Sequence, residues 1–296
     1  MTVHFADRLQ KAIDQKGSPV CVGLDPRYER LPEAFLSDAG QVDDRVKLDA
    51  ISAYCHELLD VIAETVPAVK PQVACFEIFR GEGLKLYFDL VQRAKELGLV
   101  VIGDIKRGDI GTSAQAYAQG HLSGPSAPDA VTVNGYFGID GLAPFIDIAR
   151  EEGKGLFVLV RTSNPSAVTV QDFVDSDGNK FYEHMARNVA NLGDGDGLVG
   201  QTGLSCVGAV VGATYPDEAR QLRTIMDRQI FLVPGYGAQG GTAADCKASF
   251  RPDGTGAIVN ASRSVIYAHT NAPELDWKQA VHNAAVAFRD DLKSIF

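Results

Sequence analysis

The sequence predicts an α/β protein, a (β/α)8 TIM barrel formed by residues 1–296 as a single domain, and three observations lead there. Eight short apolar, β-branched runs recur along the 296 residues. Most are continuous rather than alternating, as in parallel strands buried on both faces. The gaps between them carry helix-like patterns, and eight alternating units fit a closed barrel better than a doubly wound sheet.

The chain opens on MTVHFADRLQKAID, an amphipathic polar start without the basic and apolar regions of a secretory signal. PVCVGLD (19–25) and PAVKPQ (67–72) read as the first two strands, with HELLDVIAETV (56–66) helical between them. LKLYFDLVQRAKELG (84–98) repeats every 3.6 residues and stops at Gly98, a residue suited to a left-handed cap. GLVVIGDIK (98–106), DAVTVN (129–134) and GKGLFVLVRT (153–162) follow as strands three to five. The 163–200 stretch is a longer, Gly-, Asp- and Ser-rich connection, helical over Tyr182–Asn191, and is an elaboration rather than a domain. LSCVGAVVGAT (204–214), QIFLVPG (229–235) and TGAIVNASR (255–263) complete the eight. Asp25, Lys70, Asp104, Lys106, Asn134, Thr162, Gln239 and Arg263 all fall at or just after carboxyl ends of strands, where barrels of this kind place their chemistry.

Composition narrows the function classes. Hydrophobic residues make up 45% and charged residues 22% of the chain, with no low-complexity tract, which excludes a disordered protein. A formal net charge of -10 without a Lys/Arg cluster argues against nucleic-acid and anionic-membrane partners. No run approaches the ~20 apolar residues of a membrane span, so a cytoplasmic location is expected. The five cysteines are scattered and never spaced as CxxC, and the six histidines form no HxH or HxxxH pair. Neither a disulfide framework nor a metal site is expected, and the cysteines read as small core residues.

Two motifs mislead. GYGAQG (235–240) matches the dinucleotide fingerprint, yet it follows the seventh strand, and no acidic residue ends a following strand about 20 positions on. A phosphate-cradling loop fits better, because barrels often bind phosphate after strands seven and eight. DSDGN (175–179) begins like a calcium loop, but Lys180 stands where that loop needs Gly and Ala186 where it needs the bidentate Glu. It reads as a solvated turn, as does DGDG (194–197).

The stretch GDIKRGDIGTS (103–113) places Asp104, Lys106 and Asp109 within six positions. Side chains alternate along a strand, so Asp104 and Lys106 project to one side, and Gly108 turns the chain so that Asp109 reaches a neighbouring volume. In isolation this reads equally as a salt-bridged strand end. Lys70, the only charged residue near the end of the adjacent strand, makes an alternating Lys-Asp-Lys-Asp array feasible. Mutual attraction would keep all four groups ionised in a site that a lid could dry.

GDIKRGDIGTS resembles the DxKxxDI signature of the orotidine 5'-phosphate decarboxylase family. CVGLDPR (21–27), VKPQVACFE (69–77), TVNGYFG (132–138), RTSNPSA (161–167), PGYGAQGG (234–241) and NASRS (260–264) resemble its remaining blocks in the longer bacterial form. The resemblance runs in the family's order from Cys21 to about Ser264. It implies a homodimer with shared sites, in which Lys70, Asp104, Lys106 and Asp109 form the charged tetrad and Asp109 and Ile110 enter the partner's site. It further implies that Asp25 binds the ribose hydroxyls, Ser163 contacts the pyrimidine edge, Gln239 bridges phosphate and base, and Arg263 pairs with the phosphate through its planar fork. Where the family has a Thr reaching the other site's ribose, this chain has Ser113, preceded by Thr112, and either hydroxyl suits the role. Shorter members have Gly in place of Ser262, where a backbone N–H would be the donor in both cases, and His in place of Asn134.

The implied reaction is cofactor-free and metal-free decarboxylation of orotidine 5'-monophosphate to UMP. Lys106 would stabilise the carbanion at C6 and then protonate it, while Asp104 holds Lys106 charged and aimed. Asp109 would lie near the departing carboxylate, either straining the substrate or fixing the lysine. Two alternatives remain: a magnesium-dependent sugar-phosphate decarboxylase on the same barrel, and a non-catalytic nucleotide-phosphate-binding module.

Overall fold

All eight predicted runs contain strands: β1 (Val20–Leu24), β2 (Ala68–Pro71), β3 (Val100–Arg107), β4 (Ala130–Val133), β5 (Gly155–Arg161), β6 (Ser205–Val211), β7 (Gln229–Val233) and β8 (Ala257–Ala261). The computed structural model describes residues 3–37 and 42–296, so the first two residues of the amphipathic start lie outside it. Each strand pairs in parallel with its neighbour in chain order, and β8 pairs with β1 to close the barrel. Most strands are shorter than the runs that announced them. Asp25, Asn134, Thr162 and Arg263 lie past the last strand residue, where their side chains are free of the ladder.

The helices follow the periodic stretches, with shifted ends. The first crossover helix spans Asp44–Ile62, starting well before the apolar periodicity because Asp43 caps it, accepting from the Val46 N–H at 2.9 Å. It stops before 63–66 because Val66 precedes Pro67, and proline disfavours helical backbone at the residue before it. The helix Arg80–Glu96 ends as expected, with Gly98 at φ 80°. The 163–200 connection carries the helix Phe181–Gly193 and a bridge from Val174 to Lys180. Asp175 accepts from the N–H groups of Asp177 and Asn179, making DSDGN a hydrogen-bonded turn. Four cysteines are buried, Cys75 is only partly so, and all five are free. Among the described residues no helix is long and apolar enough to cross a membrane.

The N-terminal helix, Phe5–Lys16, plugs the barrel end opposite the carboxyl ends of the strands. Phe5 is buried edge-on against Phe157, and Gly155 leaves it room, since a Cβ there would stand 2.3 Å from the ring. Arg8 clamps the plug by pairing with Asp129 at 2.9 Å and donating to the Gly153 carbonyl at 2.8 Å. Asp129 in turn accepts from the Val101 N–H at the start of β3. Asp7 accepts from the N–H groups of Gln201 and Thr202, fixing the segment before β6. This end of the molecule therefore serves stability and leaves the other end to chemistry. Phe5→Ala is expected to cost about 3 kcal/mol of folding stability by opening a cavity under the barrel. Urea denaturation would measure this, and turnover at temperatures where the variant stays folded is expected to match wild type.

Candidate active site

A cavity of about 620 Å³ opens at the carboxyl ends of the strands. Asp25, Lys70, Asp104, Lys106, Ser163, Gln239, Ser262 and Arg263 all line it. Among the residues expected in the site, Asp109, Ile110 and Ser113 do not. Asp109 accepts from the Ile110 N–H, Ile110 is 55% exposed, and Ser113 lies exposed in the first turn of the helix Gly111–Leu122.

At the cavity floor Asp104 is the centre of a row of charges. Lys70 Nζ donates to its Oδ2 at 2.6 Å and Lys106 Nζ to its Oδ1 at 2.5 Å. Gln72 Nε2 also donates to Oδ2, at 3.0 Å, and Thr132 Oγ1 donates to Oδ1 at 2.8 Å. The side chains of Lys70 and Asp104 are 6% and 7% exposed, whereas that of Lys106 is 46% exposed. Burial works against both buried charges. The two lysines outweigh it at Asp104 and hold its carboxyl well below the usual carboxylate range. Burial likewise disfavours the Lys70 ammonium, but Asp104 and Asp25 overcome it and hold the group above the ordinary lysine value. Cys21, beside this row, is pushed up to about 12 by burial, which leaves it no thiolate to act as a nucleophile.

Simple alternation does not account for the lysine's placement. The pairing of β3 with β4 slips between Gly103 and Arg107, and Lys106 takes a left-handed backbone, φ 47°. That conformation is costly for a residue with a Cβ. The hydroxyl of Thr132 accepts the Lys106 N–H at 3.0 Å within this break in the ladder. Thr132 and Gln72 escaped the sequence reading, although a threonine two residues before Asn134 in DAVTVN is a polar residue on the same side of an apolar strand.

The cavity walls come from three loops. Arg161, at the end of β5, is 1% exposed; it pairs with Asp172 at 2.6 Å and Glu218 at 3.5 Å and lies over the Tyr215 ring at 4.1 Å. Gln171 closes the same loop, accepting from the Thr162 N–H and donating to Thr162 Oγ1. Ser163 thus stands on a pinned segment, packed so closely to Gly212 that a Cβ there would be 3.1 Å from the serine's. After β7, GYGAQG forms a loop and not a helix N-terminus, with Gly235, Gly237 and Gly240 all at positive φ. The Gly237 N–H donates to the Gly241 carbonyl at 2.8 Å, and Tyr236 reaches out to Asp291 at 2.5 Å. After β8, Ser262 packs where only a glycine at position 23 leaves space, and exposed Arg263 makes no ion pair among the described residues.

Within an acidic chain the cavity thus holds three cations, Lys70, Lys106 and Arg263, against two carboxylates, Asp25 and Asp104. Asp25 Oδ1 and Asn260 Oδ1 are buried there without a hydrogen-bond partner, so both are acceptors awaiting donors. Among the described residues no three His, Cys, Asp or Glu side chains gather as a metal-ligand set.

A closed (β/α)8 barrel with a charged pocket at its carboxyl end and a glycine loop after β7 defines the class: a barrel enzyme acting on a small phosphorylated anion. The chain belongs to the orotidine 5'-phosphate decarboxylase / HUMPS family, whose model matches residues 18–276. It is 40% identical to the orotidine 5'-phosphate decarboxylase of Rhodopirellula baltica, covering 98% of this chain and 99% of that one. It is 41% identical to the Deinococcus radiodurans protein of the same name, over 99% and 98%. Among solved structures, the OMP decarboxylase of Leishmania donovani superposes with a TM-score of 0.77 at 29% identity, covering 99% of both chains.

Asp104→Asn leaves the buried Lys70 ammonium with only Asp25 nearby and is expected to destabilise the fold by on the order of 3 kcal/mol near neutral pH. Loss of Asp104 lowers the Lys70 value from its raised wild-type level, so the folded variant binds fewer protons than folded wild type as pH rises and its stability falls less steeply or rises. Thermal melts between pH 7 and 10 should show the gap to wild type narrowing. A constant gap would mean that Lys70 is not the group left unpaired.

Proposed function

We propose that this protein decarboxylates orotidine 5'-monophosphate to UMP and carbon dioxide in pyrimidine biosynthesis. In this reading it works in the cytoplasm as a homodimer of single-domain barrels, without metal or cofactor. The observation that carries the reading is the Lys70–Asp104–Lys106 row beneath a cavity that also presents Ser163, Gln239 and Arg263. Relatives of nearly the same length bear the name of that activity.

The C6–carboxylate bond breaks, the electron pair stays on C6 and carbon dioxide departs. No ring position takes up the charge, so stabilisation falls to the Lys106 ammonium, which then passes a proton to C6 and is left as a neutral amine. Asp104 already accepts four hydrogen bonds, so its part is to hold both lysines in place rather than to take a proton. Asp25, with an unpartnered oxygen, suits the ribose hydroxyls. Ser163 meets the pyrimidine edge, Gln239 spans base and phosphate, the Ser262 N–H donates to the phosphate and Arg263 grips it with two parallel bonds. Phosphate binding, remote from C6, supplies the free energy that closes the 235–241 loop and excludes water.

Asp109, Ile110 and one of the hydroxyls of Thr112 and Ser113 complete the partner's site. Their absence from their own chain's cavity and the exposure of Ile110 support this arrangement. Asp109 then stands near the departing carboxylate.

Adding orotidine 5'-monophosphate to wild type is expected to lower its ultraviolet absorbance and yield UMP, and Lys106→Ala to reduce kcat on the order of 10³-fold or more. A chelator is expected to leave turnover unchanged; loss of activity that magnesium restores would favour the sugar-phosphate alternative. Mixing Asp109→Asn chains with Lys70→Ala chains should recover activity through one undamaged shared site. No recovery despite demonstrated subunit exchange would sink the shared-site dimer.

A further inference from the structure

The hydroxyl of Thr132 touches the two groups that matter most in the proposed reaction, and it does so from beneath. Its one proton goes to Asp104 Oδ1 at 2.8 Å, and its oxygen accepts the Lys106 N–H at 3.0 Å. Thr132 is 1% exposed, so no water competes for either bond. The direction of both is forced: a carboxylate can only accept and a backbone N–H can only donate, so the hydroxyl must face Asp104 with its hydrogen.

The second bond lies where the sheet fails. Between Gly103 and Arg107 the register of β3 against β4 shifts, and no β4 residue pairs with Lys106. Lys106 sits there at φ 47°, one of two non-glycine residues at positive φ among those described. A residue persists in that region only when its surroundings over-determine it. The Thr132 hydroxyl stands in for the missing ladder acceptor.

We infer that Thr132 is a positioning residue for the decarboxylation: its hydroxyl joins the left-handed backbone of Lys106 to the carboxylate of Asp104, so that the ammonium is aimed by one buried side chain at both ends. This rests on the proposed function for its kinetic consequence but not for its geometry. In a rate that depends on where one ammonium stands, a small misplacement weakens the transition state far more than the bound substrate. Ribose, base and phosphate contacts come from other strands and loops and are left intact.

Two variants and two readouts test this. Thr132→Val keeps the shape and removes the hydroxyl, while Thr132→Ser keeps the hydroxyl and removes the methyl group. For Val, kcat is expected to fall roughly 10- to 100-fold, the effect of losing a hydrogen bond to a charged group, with KM changed less than about twofold. For Ser, kcat is expected to stay within a fewfold of wild type. A Val variant that turns over at the wild-type rate, or a Ser variant as slow as Val, would overturn the inference, the latter by making methyl packing the cause. Crystal structures of wild type and Thr132→Val give the second readout without any assay. Lys106 is expected to leave positive φ or its ammonium to leave Asp104, and an unchanged Lys106 would overturn the inference even were the wild type inactive on orotidine 5'-monophosphate. That inactivity would instead defeat the proposed function alone.

Discussion

Everything at the carboxyl end of this barrel is arranged around one buried carboxylate. Asp104 accepts from two ammonium groups, an amide and a hydroxyl, contributed by β2, β3, β4 and the residue just past β2. A lone carboxylate this deep would shed its charge by taking up a proton, and so would a lone lysine by losing one. Together they stay ionised, and the row needs three adjacent strands held in register. The barrel supplies that register. The carboxylate in turn makes the register costly to lose, since separating the strands would strand unpaired charges in the interior.

Around this fixed centre the walls differ in how firmly they are held. The segment after β5 is tied by the buried Arg161 guanidinium to Asp172 and Glu218, with a ring of tyrosine beneath it. The segment after β7 is held by backbone bonds among Gly235, Gly237, Gly240 and Gly241 and by Tyr236, whose ring packs 4.7 Å from that of Phe288 and whose hydroxyl reaches Asp291. One wall is thus pinned by buried charge and the other built largely of glycines, and in the proposed function the first would meet the base and the second would fold over the phosphate. The opposite end of the barrel, plugged by Phe5 and clamped by Arg8, contributes nothing to this and bears the task of keeping the strands together.

Much of this was legible in the amino-acid order. Short apolar, β-branched runs ending in a polar residue marked all eight strands, and most were continuous because burial on both faces leaves little room for alternation. The spacing Asp104, Lys106 and the isolated Lys70 marked the centre of the site. Less was legible where structure departs from regular repeats. Thr132 lies in a β-branched strand where threonine is an ordinary residue, so its place two residues before Asn134 was only a weak signal. The left-handed turn at Lys106 follows from the register slip between β3 and β4, a property of two strands and not of one. The start of the helix Asp44–Ile62 was missed because its first turns are polar and set by the Asp43 cap rather than by apolar spacing. Arg161 read as the polar end of a strand, and only the packing of two later helices against it reveals an anchor.

The unequal exposure of the two lysines has a further meaning for a working cycle. Lys70 is sealed, whereas nearly half of the Lys106 side chain meets solvent when the cavity is open. In the proposed reaction Lys106 gives away a proton at every turnover, and one that was sealed would have no means of replacing it. In that reaction its position at the boundary would let bulk water recharge it each time the site opens, so that release of UMP and recharging of the donor would coincide. The buried lysine, which is never spent, has no need of the water it lacks.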